Sequence, residues 1–125
     1  MAITNLTPMW PVHDIDAACA FMTECLGFET ILRLETYAYC RSGGGAIRVI
    51  HAAPGADLDD PARQMHFYID CDDVDALYSD HAAALNALDE GSFKAPFDTH
   101  WGQREFHVIH AQAQFSVGQP IEART

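Results

Sequence analysis

The chain has 125 residues, of which 49% are hydrophobic and 20% charged, a composition typical of one soluble globular domain. Eighteen acidic residues against seven lysines and arginines give a formal net charge of −11, which argues against nucleic-acid binding because phosphates need a basic surface. No apolar run approaches the ~20 residues of a membrane-spanning helix, and the start MAITNLTPMW lacks the basic and apolar parts of a signal peptide, so we expect a cytoplasmic protein without a membrane partner.

The first half of the chain contains one helical pattern among several strand-like runs. Asp14 precedes apolar residues at helical spacing and Gly27 ends the pattern, so the sequence predicts a helix that Asp14 or Asp16 caps. One strand-like run comes before this helix and three come after it: NLTPMWPV (5–12), FETILRL (28–34), TYAYCRS (36–42) and AIRVIHA (46–52). The glycines of SGGG (42–45) indicate a tight hairpin connection.

The second half repeats this order after an acidic, proline-containing linker at 54–63. A second helical pattern begins after Asp72 or Asp73, extends to Leu88 and is followed by Gly91. One strand-like run again precedes the helix and three follow it: QMHFYID (64–70), SFKAPF (92–97), REFHVIH (104–110) and QFSVGQ (114–119).

The two helix starts carry nearly the same motif, DIDA at 14–17 and DVDA at 73–76, which indicates an internal repeat. The sequence therefore predicts one α+β domain over 1–125, built from two β-α-β-β-β modules at about 1–53 and 64–120. Strands outnumber helices, and hairpin-like connections follow each helix. We therefore expect mixed, largely antiparallel sheets that curl around a cleft.

The two final strand-like runs alternate between apolar and polar residues. Because side chains point to alternate faces of a strand, each run has one apolar and one polar face. The polar residues are expected to line the cleft beside two side chains of the fifth strand: Glu105, His107, Gln114 and Ser116, with His66 and Tyr68. Trp101 and Tyr39 are expected to supply aromatic walls, as a small-molecule site requires. Ordinary packing is favoured for Phe93 and Phe97.

Other histidines and the cysteines are assigned simpler roles. We expect His13 and His81 on the surface, and His110 in a loop. The cysteines form no C-x-x-C pair, so free, buried thiols in a reducing compartment are favoured over a disulfide or a metal site. They are Cys19, Cys25, Cys40 and Cys71.

Two segments resemble a known family, VHDIDAACAFMTECLGFE (12–29) and WGQREFHV (101–108). Together with the paired β-α-β-β-β order, they are similar to the vicinal oxygen chelate superfamily. That superfamily includes glyoxalase I, extradiol dioxygenases, fosfomycin-resistance enzymes and bleomycin resistance proteins. The resemblance covers nearly the whole chain and implies the fold, but it leaves open whether the protein is an enzyme or a binding protein.

The resemblance also raises the question of a metal. Metal-dependent members place histidine on the first and fifth strands and glutamate on the last, and these positions correspond here to Thr7, His66 and Ser116. Only one of the three is a good ligand, so we expect no metal cofactor. The alternative is one divalent metal bound by His66 with Glu105 and His107.

The function implied by the resemblance is metal-independent binding of a small aromatic or cationic molecule, as in bleomycin resistance. Trp101 would stack on that ligand, and the negative charge would attract a cation, although solubility alone is the favoured explanation of that charge. The runner-up is a metal-dependent lyase or dioxygenase with altered ligands around His66. A homodimer is expected, because pairing covers open sheet edges and the cleft.

Overall fold

Two four-stranded sheets carry the fold in the computed structural model, which describes residues 1–121. The first half of the chain forms β1 (Met9–Val12), α1 (Ile15–Leu26), β2 (Glu29–Leu34), β3 (Tyr37–Ser42) and β4 (Gly45–His51). A short 3-10 turn, Pro61–Arg63, precedes the second half. That half forms β5 (Met65–Asp70), α2 (Val74–Asn86), β6 (Phe93–Asp98), β7 (Gln103–His110) and β8 (Ala113–Pro120).

Each sheet is formed from one half of the chain. The strand orders are β1-β4-β3-β2 and β5-β8-β7-β6. In each sheet the pair that spans the helix, β1 with β4 or β5 with β8, is parallel, and the other pairs are antiparallel. The predicted α+β fold with two β-α-β-β-β units is therefore confirmed.

In the repeated D-x-D motif, the first aspartate caps the N-terminus of each helix. The Asp14 carboxylate accepts a hydrogen bond from the Ala17 amide, and Asp73 accepts one from Ala76, each at 3.0 Å. These bonds satisfy backbone donors that have no partner within the helix. Gly27 ends α1 with a left-handed φ of 76°, a conformation that glycine adopts without steric cost.

The second helix is shorter than predicted. It ends at Asn86 rather than Leu88, and its backbone is non-helical at His81, with φ −123° and ψ 15°. His81 was expected on the surface; it is partly exposed, but it also contacts the first helix. Its Nδ1 lies 3.1 Å from the carbonyl oxygen of Glu24 in α1, and its ring packs on Gly27.

Each helix covers one face of its own sheet, and the buried apolar residues lie between the helix and that sheet. In the second sheet, Phe106, Val108, Phe115 and Val117 are at most 1% exposed and face α2. Arg104 ties this helix to the sheet: its guanidinium binds Asp75 of α2 at 3.0 Å and Asp98 of β6 at 3.1 Å. The hydrogen bonds that Arg104 donates to Asp75 and Asp98 raise its pKa.

Four aromatic rings join the two halves. Trp10 of β1 packs edge-on against Phe115 of β8 and His110 of β7, with ring centroids 5.2 and 5.8 Å apart. Phe21 of α1 stacks on His110 at 4.8 Å. His110 was predicted in a loop; it is instead the last residue of β7, and burial lowers its pKa.

The turn between β7 and β8 has an unusual backbone. Its two central residues, Ala111 and Gln112, have φ of 47° and 63°. Such two-residue hairpin turns match the twist of the strands and favour Asn-Gly, because both positions are left-handed. The Ala111 carbonyl accepts a hydrogen bond from the Trp10 indole at 3.5 Å, so this turn is also part of the contact between the halves.

The four cysteines are free thiols, as predicted, but only three of them are buried. The exception is Cys71, which is partly exposed at the end of β5. Cys19 and Cys40 lie together in the hydrophobic core with their sulfurs 4.0 Å apart. Burial raises the pKa of Cys40 to about 11. Within residues 1–121, none of the helices is long and apolar enough to cross a membrane.

Candidate functional site

The face of the second sheet that is turned away from α2 carries most of the polar residues singled out in the sequence. We call it the open face, and its central residues come from β5, β7 and β8: His66, Tyr68, Glu105, His107, Gln114 and Ser116. Ser116 lies directly opposite His107 on one side and Tyr68 on the other. The predicted alternation and the predicted neighbourhood of these strands are therefore correct.

Glu105 is the centre of this face. Its side chain is 2% exposed, although an ionised carboxylate is rarely buried without partners. Trp101 Nε1 donates to Oε2 at 3.2 Å, and His107 Nε2 lies 2.8 Å from Oε1. Since an ionised carboxylate only accepts, His107 must carry its proton on Nε2. The Tyr68 hydroxyl lies between this carboxylate and Gln103 Oε1, which is 3.2 Å away.

These contacts keep Glu105 ionised. Burial on its own would raise the pKa of the carboxyl group, but the hydrogen bonds from His107, Tyr68 and Trp101 outweigh it and hold the pKa below the ordinary 4.5. In turn, burial and the neighbouring Glu105 raise the pKa of Tyr68. At neutral pH the site therefore contains a negative carboxylate surrounded by neutral or positive donors.

Gly118 makes room for this arrangement. It is paired with Glu105 across β7 and β8 and with Asp70 across β5 and β8. A Cβ atom at Gly118 would collide with the Tyr68 hydroxyl and lie 2.9 Å from Glu105 Cγ. Glycine inside a strand often marks such a close approach, so the sequence carried a signal for this position that sequence reasoning missed.

A second group of hydrogen bonds lies beside the first. His66 Nε2 is 2.9 Å from the Ser116 hydroxyl, and the Gln114 amide is 3.3 Å from the same oxygen. Ser116 is 3% exposed, whereas His66 is exposed. Ser116 therefore lies at the bottom of the face, and His66 forms part of its rim.

Aromatic side chains border the face at the β6 side. Trp101, in the loop before β7, is 57% exposed despite its bond to Glu105. Phe97 packs edge-on against His107 with ring centroids 5.1 Å apart, and the Lys94 ammonium lies 3.9 Å from the Phe97 ring centroid. Ordinary packing was expected for both phenylalanines; Phe93 does pack against the core and on Tyr78, whereas Phe97 packs on the open face, outside the core.

An irregularity in β6 explains the position of Phe97. Lys94 pairs with His107 and Phe97 with Glu105, so the register shifts between them. Residues three apart on a regular strand point to opposite faces, but the bulge around Pro96 puts Lys94 and Phe97 on the same face. Proline inside a strand-like run indicates an edge strand or a bulge, and this was the available signal.

One predicted site residue lies elsewhere. Tyr39 is on β3 of the first sheet, where its ring centroid is 5.0 Å from the Arg48 guanidinium carbon. The open face of one chain therefore brings together the other predicted residues without Tyr39: Trp101, His66, Tyr68, Glu105, His107 and Ser116.

The residues at the three expected metal positions do not fit a metal ion. Thr7 precedes β1, because the strand begins at Met9 rather than within the predicted run from residue 5. Ser116 offers only a hydroxyl, which already binds His66. For the alternative set, Glu105 and His107 are bonded to each other, but His66 is directed to Ser116. No three His, Cys, Asp or Glu side chains within residues 1–121 are grouped so that they could hold a metal ion.

Comparison with known proteins identifies relatives of the fold. No curated protein matches this sequence. Among solved structures, the bleomycin resistance determinant encoded on transposon Tn5 is 21% identical, with a TM-score of 0.75 over 94% of this chain and 98% of that one. The bleomycin-binding protein from bleomycin-producing Streptomyces verticillus, in complex with copper(II)-bleomycin, is 20% identical, with a TM-score of 0.72 over 94% and 96%.

An enzyme has a similar structure as well. The lactoylglutathione lyase from Agrobacterium tumefaciens is 21% identical, with a TM-score of 0.65 over 94% of this chain and 95% of that one. At such identities the similarity establishes the fold alone. The sequence profile of one family matches residues 7–114, which is most of the chain. The chain therefore belongs to the Glyoxalase/Bleomycin resistance protein/Dioxygenase superfamily.

Proposed function

We propose that the open face binds a small, planar, cationic aromatic molecule without a metal ion, in the manner of drug sequestration. The observation that carries this proposal is the exposed indole of Trp101 held by the buried carboxylate of Glu105. An indole face attracts a cation, and a carboxylate bonded to the indole N–H strengthens that attraction. Because Glu105 is buried, its role is to position Trp101 and to supply negative charge rather than to touch the ligand.

The charge of the whole protein favours the same class of ligand. A net charge of −11 attracts cations over a distance set by the salt concentration. Two structural relatives are, by their names, a bleomycin resistance determinant and a bleomycin-binding protein. Bleomycin is therefore a suitable probe.

A homodimer would complete the site. The side chains of Met9, Leu32 and Leu34 are 45–54% exposed, although they are large and apolar. Through the strand pairing they share the helix-free face of the first sheet with Tyr39. Clusters of this kind on soluble proteins mark interaction surfaces. Packing this face against the open face of a second copy would bring Tyr39 to Trp101 and bury the apolar cluster.

A cytoplasmic location agrees with the four free thiols, because reduced cysteines are typical of a reducing compartment.

The test of the function is titration of the protein with metal-free bleomycin and with acriflavine, a smaller planar aromatic cation, at low and high salt. Trp101→Ala should weaken binding about two- to thirtyfold by loss of stacking, and high salt should slow association.

Trp101→Phe is the matched variant, because it keeps an aromatic face but cannot donate to Glu105. We expect it to retain part of the affinity. Equal affinity of all three proteins would place the ligand elsewhere, and no binding of either probe by the wild type would overturn the proposal.

Two measurements test the remaining parts. Elemental analysis of the purified protein should show no stoichiometric Zn, Ni, Mn or Fe. About one equivalent of metal that is lost in His66→Ala would instead support the lyase or dioxygenase alternative. Sedimentation equilibrium at micromolar concentration should give twice the chain mass of 13.8 kDa, and a monomer would contradict the dimer.

A further inference from the structure

The two halves of the chain pack against each other along a boundary that we call the join. One side of the join is densely packed and the other is not. Aligning DIDA with DVDA places Trp10 in correspondence with Ile69 and Phe21 with Asp80. Aligning the two-residue turns of the hairpins places His110 in correspondence with Ser42, and Phe115 with Ile47. Each aromatic ring on one side of the join thus has a smaller or polar counterpart on the other side.

The aromatic side is densely packed. Trp10, Phe21, His110 and Phe115 form five ring contacts with centroids 4.8–6.2 Å apart. Because the rings fill this side, the two sheets and α1 are held there by a continuous set of aromatic contacts.

The opposite side forms a cavity of about 1030 Å³. All four counterparts line it: Ser42, Ile47, Ile69 and Asp80. The hairpin turn on this side is Gly43-Gly44 and adds no side chains. The cavity therefore follows from replacing large rings by smaller side chains at matching positions of the repeat.

The lining combines an apolar wall with carboxylates. The apolar wall comes from the C-terminal end of α1 and the residues just after it, together with α2. Its buried residues are Met22, Leu26 and Phe28, and Leu77 of α2 faces the cavity beside them. The carboxylates are exposed and lie along the end of β5 and the first turns of α2: Asp70, Asp72, Asp73 and Asp80. Among residues 1–121, no lysine or arginine lines this cavity.

We propose that this cavity is a second binding site, for an amphiphilic organic ammonium ion with an aryl or alkyl body. The apolar wall removes the body of such a ligand from water, and the carboxylates pair with its ammonium group at the rim, where nothing in the lining opposes a positive charge. Cavities of this size accept drug-sized molecules. The ligand differs from that of the open face, because the cavity provides a wall of buried apolar side chains rather than an exposed indole.

The two sites adjoin at the edge strand β5. His66 and Tyr68 line the cavity and also belong to the open face. Variants that separate the sites must therefore avoid these two residues. Trp101 belongs only to the open face, and Asp80 only to the cavity.

The experiment is calorimetric titration with 4-phenylbutylammonium, and with 4-phenylbutanol as a neutral control of the same shape. The ammonium should bind at least about fivefold more tightly than the alcohol. Asp72→Lys/Asp80→Lys should weaken it about tenfold, because two exposed attractions are replaced by repulsions. The matched control, Asp89→Lys/Glu90→Lys, changes the net charge equally outside the cavity and should have little effect.

A second variant tests the cavity by its shape. Ile69→Trp/Asp80→Phe restores the rings of the packed side and should abolish binding of the ammonium, while Trp101→Ala should leave it unchanged. If this variant does not fold, the charge variants decide on their own. Loss of binding in Trp101→Ala, or equal binding of the ammonium and the alcohol, would overturn the proposal. A further result would also overturn it: Ile69→Trp/Asp80→Phe converts a dimer to a monomer, while 4-phenylbutylammonium leaves the dimer unchanged. A second copy of the chain, rather than the ammonium, would then occupy the cavity.

Discussion

The indole Nε1 of Trp101 donates a hydrogen bond to Oε2 of Glu105, 3.2 Å away, so an exposed ring is oriented by a carboxylate that is 2% exposed. His107 Nε2 lies 2.8 Å from the other oxygen of this carboxylate, and the nearby Tyr68 hydroxyl helps to keep its pKa low. A ring held in this way loses little freedom when a ligand stacks on it, and such preorganisation favours binding.

Glu105→Gln should destabilise the fold by about 1–3 kcal/mol, because the amide nitrogen that replaces one oxygen faces donors and leaves a buried group unpaired. The measurement is urea unfolding at neutral pH. Glu90→Gln, an exposed carboxylate on the loop before β6, is the control and should change the free energy of unfolding little.

The pH dependence follows from the lowered pKa of Glu105. The unfolded chain binds a proton at the ordinary value of 4.5, and the folded chain only below it. The contribution of Glu105 to stability is therefore complete above 4.5 and is lost as pH falls through the lower, folded pKa. Unfolding measured from pH 7 to pH 3 should show less acid destabilisation in Glu105→Gln than in wild type, and parallel curves would contradict the assignment.

Gly118→Ala should disturb the packing of Tyr68 and Glu105 on the open face. The added methyl group meets the Tyr68 hydroxyl and lies 2.9 Å from Glu105 Cγ, so we expect a loss of about 1–3 kcal/mol. In the Tyr68→Phe background the same change should cost less, because the nearest atom is gone. A double-mutant cycle by thermal unfolding measures this coupling, and strictly additive effects would argue against the contact.

Lys94→Met should strengthen binding of a planar cation to the open face. The Lys94 ammonium already covers the Phe97 ring at 3.9 Å and repels a second cation. Its removal should tighten acriflavine about two- to fivefold. Arg63→Met removes one positive charge from the turn before β5 and serves as the matched control. Equal gains in both variants would mean that only net charge matters.

Gln112→Gly should stabilise the protein by about 0.5–1.5 kcal/mol, because Gln112 has a φ of 63° that a non-glycine residue adopts at a cost. Gln112→Ala keeps that cost and also removes the 3.3 Å hydrogen bond to Asp59, so it should not stabilise. Thermal unfolding of both variants distinguishes relief of backbone strain from any effect of the side chain.

The sequence predicted what depends on regular periodicity. Alternation placed Glu105 and His107 on the same face, and the D-x-D motifs placed both helix starts, because these features are local. Alternation alone misplaced Phe97, since the bulge at Pro96, which the proline signalled, shifts the face by one residue.

Contacts between the two halves were also out of reach. The packing of His81 on Gly27 joins residues far apart in the chain, and no local pattern encodes it. The same applies to His110, which was expected in a loop but is the last residue of β7 and packs against Trp10.

The bulge of β6 has a consequence for the protein in a crowded solution. β6 is the last strand of its sheet, and an unpaired edge is a template on which strands of other molecules can add and start aggregates. Pro96 has no backbone N–H to offer, and the shifted register around it interrupts the row of hydrogen-bonding groups. The irregularity that brings Phe97 to the open face thus also protects the edge of the sheet from intermolecular pairing.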